Sequence, residues 1–241
     1  VSTVTPYNTS EGKKEQVAQM FDQIAPKYDF LNQVLSFGIH KRWRKKAVKK
    51  LVDLKPKRLL DVATGTGDFA VEAVRQLNPD KVSGADISEG MMEFGRKKIA
   101  ELNLQNKIEF VSGDAATLPF DDNTFDAITV GFGVRNFAVL QDGLKGMHRV
   151  LRPGGMLVVL EFSKPRKFPF KQSYNFYSRY ILPLIGRMFS KDKRAYTYLP
   201  ESVAAFPDGN DFLNEMKKAG FSSVSWQPLT FGVASIYTGV K

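Results

Sequence analysis

Between Arg58 and Ala70 the chain reads Arg-Leu-Leu-Asp-Val-Ala-Thr-Gly-Thr-Gly-Asp-Phe-Ala. A short apolar run ends in two glycines one residue apart, and a helical pattern begins at once behind them. This predicts a strand, a tight turn and a helix N-terminus. Gly65 and Gly67 let the backbone turn sharply and let a ligand approach where a Cβ would collide. The free N–H groups opening the helix attract a negatively charged or oxygen-rich group. With Ala70 in third place the run fits G-x-G-x-x-[GA], a nucleotide-binding fingerprint. Alone the fingerprint is weak, and its surroundings narrow it.

Lys81–Asp86 reads as the next strand and ends in an acid 21 residues after Gly65. An acid there can accept hydrogen bonds from ribose hydroxyls. A third strand, Ile108–Ser112, runs on to Asp114 and Ala115. Each Asp could equally be a helix cap or turn residue, but Asp61, Asp86 and Asp114 fall in step at three strand ends. Charge then bears on the ligand. Asp61 before the turn and Asp68 after it would repel a pyrophosphate. They suit an ammonium and a sulfonium, the charges of S-adenosylmethionine, with Asp114 placed to read an adenine amino group. A dinucleotide, and so an NAD(P)-dependent oxidoreductase, stays open as the alternative.

At 241 residues, 43% of them hydrophobic, the chain suits one enlarged α/β domain better than two. It has no cysteine and only His40 and His148, so no thiol chemistry and no metal site are expected. No signal-peptide core or long uncharged apolar run appears, so the expected location is the cytoplasm. The net charge of +10 is dense over Lys41–Lys46 with Lys49 and Lys50, over Lys164–Lys171 and over Lys191–Arg194. Solvated faces are the first reading, and an anionic membrane surface is the second. No nucleic-acid-binding signature accompanies the charge, so nucleic acid is not an expected partner, and an RNA methyltransferase would rest on charge alone.

Helical spacing is predicted from Lys13 to Ile24, stopped by Pro26, and again from His40 to Val52. Ordinary packing at a helix junction competes with a functional reading of Tyr28 and His40. Strands near 58–63, 82–86, 108–112, 125–131 and 156–162 alternate with helices near 68–77, 89–102 and 139–151, the pattern of a parallel sheet covered on both faces. Arg152–Gly155 reads as a turn. The loop Gly131–Asn136 opens onto the crevice at the strands' carboxyl ends, which places Arg135 and Asn136 beyond the cofactor. A loop-anchoring salt bridge is the competing role for Arg135. Residues 168–189 form an aromatic, apolar insertion that suits a lid or an interfacial helix. A last helix, 211–219, precedes an antiparallel hairpin, 223–227 with 232–240.

This arrangement resembles the Rossmann-like class I S-adenosylmethionine-dependent methyltransferase fold: a mostly parallel seven-stranded sheet, helices on both faces and a C-terminal antiparallel hairpin. Tyr28-Asp-Phe-Leu-Asn32, Ser36, His40 and Trp43 are similar to one signature of the ubiquinone/menaquinone biosynthesis C-methyltransferases. Arg149–Gly155 through Glu161-Phe-Ser163 is similar to another, and Pro119–Asp126 and Gly131–Asn136 match as well. Leu31, Arg152 and Ala63 depart from the usual Met, Lys and Gly without removing a reactive group. The resemblance implies C-methylation of a prenylated quinol, demethylmenaquinol or a ubiquinol precursor. S-adenosylmethionine would be held by Thr66, Asp86, Asp114 and Ala115, with Asp61, Gly65, Gly67, Ile87 and Gly131 beside them. Arg135 and Asn136 would stabilise a developing phenolate, and Tyr28 and His40 would position the ring or take its proton. Residues 1–54 are expected as a helical cap and 55–241 as the methyltransferase domain, with an inserted lid at about 166–200. The prenyl tail implies peripheral contact with an anionic membrane, and a homodimer is left open.

Overall fold

The computed structural model describes residues 4–7, 9–177, 180 and 193–241, with residues 175, 193 and 196 as backbone only. The apolar lid positions Ile181, Leu182, Leu184, Ile185, Met188 and Phe189 lie outside the described residues. Seven strands form one sheet in the order β3-β2-β1-β4-β5-β7-β6. They are β1 (Arg58–Val62), β2 (Lys81–Asp86), β3 (Ile108–Ser112), β4 (Phe125–Gly131), β5 (Leu151–Phe162), β6 (Ser222–Leu229) and β7 (Ala234–Val240). The first five run parallel, and β7 is antiparallel to both β5 and β6. The expected terminal hairpin therefore inserts its second strand beside β5.

Parallel neighbours need crossovers, and α4 (Asp68–Leu77), α5 (Glu89–Glu101) and α6 (Leu140–Val150) provide them. Alternate residues of β1 serve opposite faces. Leu60 and Val62 pack with Leu144 and Met147 of α6 and with Phe212 of α9 (Asn210–Lys218). Leu59 packs with Phe69 and Ala73 of α4 and with Trp43 and Ala47 of α3 (Ile39–Lys49). Because β1 has β2 on one side and β4 on the other, the strand order reverses there, and a crevice opens beyond the carboxyl ends.

Pro26 ends α1 (Lys13–Ile24) as expected, but the chain does not loop out after it. A 3₁₀ turn, Ala25–Lys27, takes the proline early, where no backbone N–H is needed, and α2 (Tyr28–Leu35) follows. Val17 and Met20 of α1 and Leu31 of α2 share a satellite cluster with Ala195 and Tyr198 of α8 (Lys193–Ala205). The helix α7 (Phe170–Phe176) precedes α8 in the chain. A second difference is at β5: the Arg152–Gly155 segment, expected as a turn, stays in the strand. The register jumps from Phe125↔Leu151 to Ala127↔Met156, so the extra residues are absorbed as a bulge. Among the described residues no helix is long and apolar enough to cross a membrane.

Gly67 sits at φ +77°, and a Cβ there would lie 2.7 Å from Cζ of Phe110. Gly67→Ala is expected to cost about 1–2 kcal/mol for the left-handed backbone, plus displacement of the ring. A fall in Tm of roughly 2–8 °C should follow. An unchanged melting curve would show that this turn tolerates a side chain.

Candidate active site

The strand-end carboxylates hold the turn together. Asp61, at 1% exposure, accepts Thr64 Oγ1 at 2.6 Å on one oxygen and Thr129 Oγ1 at 2.7 Å on the other. Burial raises its pKa to about 6 against the pull of those two bonds. Asp86 accepts Gly65 N–H at 2.7 Å and Ser88 N–H at 2.9 Å, one on each oxygen, and burial raises its pKa also. Asp114 is both cap and ion-pair partner: it accepts Ala116 N–H at 3.0 Å and meets Lys14 Nζ at 3.0 Å.

Asp68 corrects the charge argument drawn from sequence. Arg44 lies 2.7 Å from it and Lys98 2.8 Å. Burial pushes its pKa up, but Arg44 and Lys98 outweigh that and hold it below the usual range. Its charge is therefore largely neutralised within the protein, although both Asp61 and Asp68 line the larger cavity. Lys98 also binds Asp29 at 2.6 Å and Thr66 Oγ1 at 2.9 Å, and Thr66 donates to Asp29 at 2.8 Å. This knot locks α2 to the start of α4. Nothing local in the sequence pairs these positions.

Two cavities meet above the sheet. The smaller, about 690 Å³ with its mouth, is lined by Gly65, Asp86, Ile87, Asp114 and Ala115 and roofed by Lys14, Val17 and Phe21 of α1. The larger, about 1900 Å³ with its mouth, reaches Leu31, His40, Asp61, Thr66 and Arg135. Phe21, Tyr28, Ala63, Gly65, Gly131 and Phe132 line both, so they form the seam. Gly67 lines neither cavity and acts on the turn's conformation. Asn136 lines the smaller one, where Tyr198 OH donates to its Oδ1 at 3.1 Å.

Arg135 stands on a 3₁₀ turn, Val134–Asn136, after β4. Its NH1 donates to Glu161 Oε1 at 2.7 Å and to the Phe132 carbonyl, and its guanidinium carbon lies 5.4 Å from the Phe162 ring centroid. The side chains of Arg135 and Glu161 are 8% and 0% exposed, so the loop-anchoring ion pair is present and buried. It does not use the whole guanidinium: Nε is buried without a hydrogen-bond partner among the described residues. A buried donor left unpaired costs roughly 1–3 kcal/mol, and here it belongs to a cation on the cavity wall. Glu161 escaped the reading as a site residue. Its signal was a lone acid at the end of the apolar run Met156–Leu160, a position that demands a buried partner.

Ser36 settles the protonation of His40. Its hydroxyl donates to Asn32 O at 2.6 Å, which uses its single proton. The 2.5 Å contact with His40 Nδ1 is then donated by the imidazole, and Nε2 carries the lone pair. Burial, and then Arg44, push the His40 pKa down to about 4, so the ring is neutral near pH 7. Tyr28 packs edge-on against Phe21 with centroids 6.0 Å apart. Burial raises its pKa, so at neutral pH it keeps its proton and can donate but not act as a base.

The lining of the smaller cavity suits an adenosine carrying a charged tail. Gly65, at φ +57°, presents bare backbone whose Cβ would lie 3.1 Å from Met91 Cε, and the two acids stand among the apolar walls of Val62, Ile87 and Ala115. The chain matches the ubiE/COQ5 methyltransferase family over residues 9–241. It is 49% identical over 238 residues to a demethylmenaquinone methyltransferase of Bacteroides fragilis, covering 99% of this chain and 97% of that one. A ubiquinone/menaquinone biosynthesis C-methyltransferase UbiE of Geotalea daltonii is 47% identical over 230 residues, covering 95% and 97%. Among solved structures, the [4+2]-cyclase SpnF superposes with a TM-score of 0.71 at 18% identity, covering 97% of each chain. A SAM-dependent methyltransferase from Thermotoga maritima gives 0.66 at 21% identity, covering 92% of this chain and 99% of that one. At such identities these two show the fold alone, the expected class I arrangement.

Asp61 binds its proton more tightly in the folded chain than in the unfolded one. The stability this contributes is complete below the ordinary value of 3.8 and is lost as pH rises through about 6. Asp61→Asn removes that slope. Relative to the parent, its unfolding free energy should improve by about 2 kcal/mol between pH 4.5 and pH 7.5. Denaturant titrations at the two pH values check this, and parallel curves would mean that Asp61 titrates normally.

Proposed function

The chain belongs to the ubiE/COQ5 methyltransferase family, and from that premise we propose that it methylates a ring carbon of a prenylated quinol, with demethylmenaquinol as the preferred substrate. This sets aside the nicotinamide oxidoreductase. The observation that carries the reading is the joined pair of cavities, one carrying Asp86 and Asp114, the other large and apolar with Arg135 in its wall. When bound, S-adenosylmethionine supplies a sulfonium methyl that the ring carbon takes in line with the departing sulfur. Gly65, Asp86, Ile87, Asp114 and Ala115 would hold the adenosine. Asp61, one strand over, faces the positive end of that ligand.

A quinol carbon is nucleophilic only while a neighbouring phenol loses its proton. Arg135, on the wall of the larger cavity, stabilises the developing phenolate by its fixed positive charge, which also lowers the phenol's pKa. His40 takes the phenolic proton on Nε2, and Ser36 holds the ring in the tautomer that makes this possible. Tyr28 at the seam donates a hydrogen bond and fixes the ring's angle. Asn136 supports the Arg135 turn, because its Nδ2 donates to the same Phe132 carbonyl at 3.4 Å. The helices α1 and α2 act as a cap that excludes water. A prenylated substrate resides in lipid, so the protein works in peripheral contact with a membrane.

Methyl transfer from labelled S-adenosylmethionine is the test, with reduced and oxidised demethylmenaquinone as acceptors. Label is expected in the reduced form alone, and absence of label in both, with donor binding intact, would overturn the reading. His40→Ala is expected to lower kcat about 10²–10³-fold with KM for the donor unchanged and with partial recovery at high pH. Arg135→Lys should lower kcat by a similar factor. It should also lower Tm, since Lys cannot reproduce the geometry at Glu161. A His40→Ala enzyme with the parent's pH–rate profile would remove His40 from the proton path.

A further inference from the structure

Three pieces of chain meet at the mouth of the larger cavity. The turn between α2 and α3 carries Phe37, at φ 48° and 87% exposed. The 3₁₀ turn Thr230–Gly232 carries Phe231, at φ 57° and 67% exposed, and Phe168, 80% exposed, stands two residues before α7. Fixed contacts join them. Trp43 Nε1 of α3 donates to Thr230 Oγ1 at 2.8 Å. The ring of Phe170, the first residue of α7, stacks on Phe231 with centroids 3.7 Å apart and planes 4° from parallel. Tyr177 OH donates to Leu35 O at the end of α2 at 2.8 Å. Phe37 lines the cavity while being almost wholly exposed, so the cavity reaches the surface at this rim.

Two of these aromatic residues occupy left-handed turn positions that bulky side chains disfavour, and all three face water. Exposed basic residues stand close in the chain to two of them. The buried side of α3 is His40, Trp43, Ala47 and Val48, and its exposed side is Lys41, Arg42, Lys45, Lys46 and Lys49. Lys167 and Lys171, also exposed, flank Phe168. Exposed aromatic tips on segments that also carry exposed cations match the headgroup boundary of an anionic lipid layer, where rings insert and cations stay at the phosphates.

We propose that this rim, with Phe37, Phe168 and Phe231 as its inserting tips and the exposed face of α3 as its charged part, docks the protein on an anionic phospholipid bilayer. The cavity mouth then faces the lipid, and a prenylated ring enters without crossing water. This rests on the quinol substrate proposed above for its purpose, but the surface can be tested without it.

The experiment is co-sedimentation of the full chain with phosphatidylglycerol/phosphatidylcholine vesicles and with pure phosphatidylcholine vesicles, at low and high salt. The parent is expected to bind the anionic vesicles at least tenfold better, and high salt should weaken that binding. Phe168→Ser/Phe231→Asn should lose at least tenfold in vesicle binding, and Lys45→Glu/Lys49→Glu should erase the difference between the two vesicles. Both double variants should keep the parent's Tm and its kcat/KM on a short-chain, water-soluble quinol, while KM for a long-chain quinol in anionic vesicles rises at least tenfold. Variants that bind vesicles like the parent would overturn the docking surface. So would a parent that ignores lipid charge, or a loss of self-association with no change in lipid binding. A parent that binds vesicles as expected but methylates no quinol would leave the surface standing and sink the substrate reading.

Discussion

The hydrogen bond from Gly65 N to Asp86 Oδ2, at 2.7 Å, joins the ends of two neighbouring parallel strands. Everything above the sheet is built on that junction. A parallel sheet brings its carboxyl ends to one edge, where backbone groups run out of ladder partners and must find others. Here strand-end carboxylates supply them. Asp86 takes N–H groups from the β1 turn and from the start of α5, and Asp61 takes hydroxyls from its own turn and from β4. The same acids that close the loops are thereby fixed in position to meet a ligand. Their structural and functional readings are one arrangement.

The second constraint is the Arg135–Glu161 pair. A buried ion pair is seldom a source of net stability, because desolvating both charges offsets their attraction. Keeping a guanidinium in an apolar wall therefore needs another reason, and its place on the wall of the larger cavity supplies one. Glu161 holds the cation where water would otherwise draw it outward, so that its charge stays beside whatever enters the larger cavity. His40 is prepared in a comparable way. Burial keeps it neutral, and the Ser36 hydroxyl sets which nitrogen is free. Both groups are fixed by the protein before anything binds.

These two sites also mark where reading along the chain succeeds. The strand–turn–helix at Arg58–Ala70, the acids at β2 and β3 and the loop carrying Arg135 were legible because each is a local pattern: a period, a glycine pair, a residue at a strand end. The helix Tyr28–Leu35 was missed, because Pro26 reads as a stop and nothing local says that the chain resumes a helix two residues later. The strand over Arg152–Gly155 was missed because Pro-Gly-Gly looks like a turn whether or not a neighbouring strand absorbs it as a bulge. Asp68 was given the wrong work because its partners, Arg44 and Lys98, stand 24 and 30 residues away in sequence.

By itself, then, the sequence determined most of the elements, the parallel run of the first five strands, the ligand crevice at the carboxyl ends and the residue types available there. Those follow from backbone sterics and from the burial periods of strands and helices, which act over a few residues. Only the tertiary structure decided which charges remain free. It tied Asp68 and Asp29 to Lys98 and left Arg135 with one donor unpaired among the described residues. It also joined two cavities along Phe21, Tyr28, Gly131 and Phe132 and gathered three exposed aromatic residues around one mouth. Electrostatic neutralisation and cavity shape depend on distances between segments far apart in the chain, and only packing sets those distances.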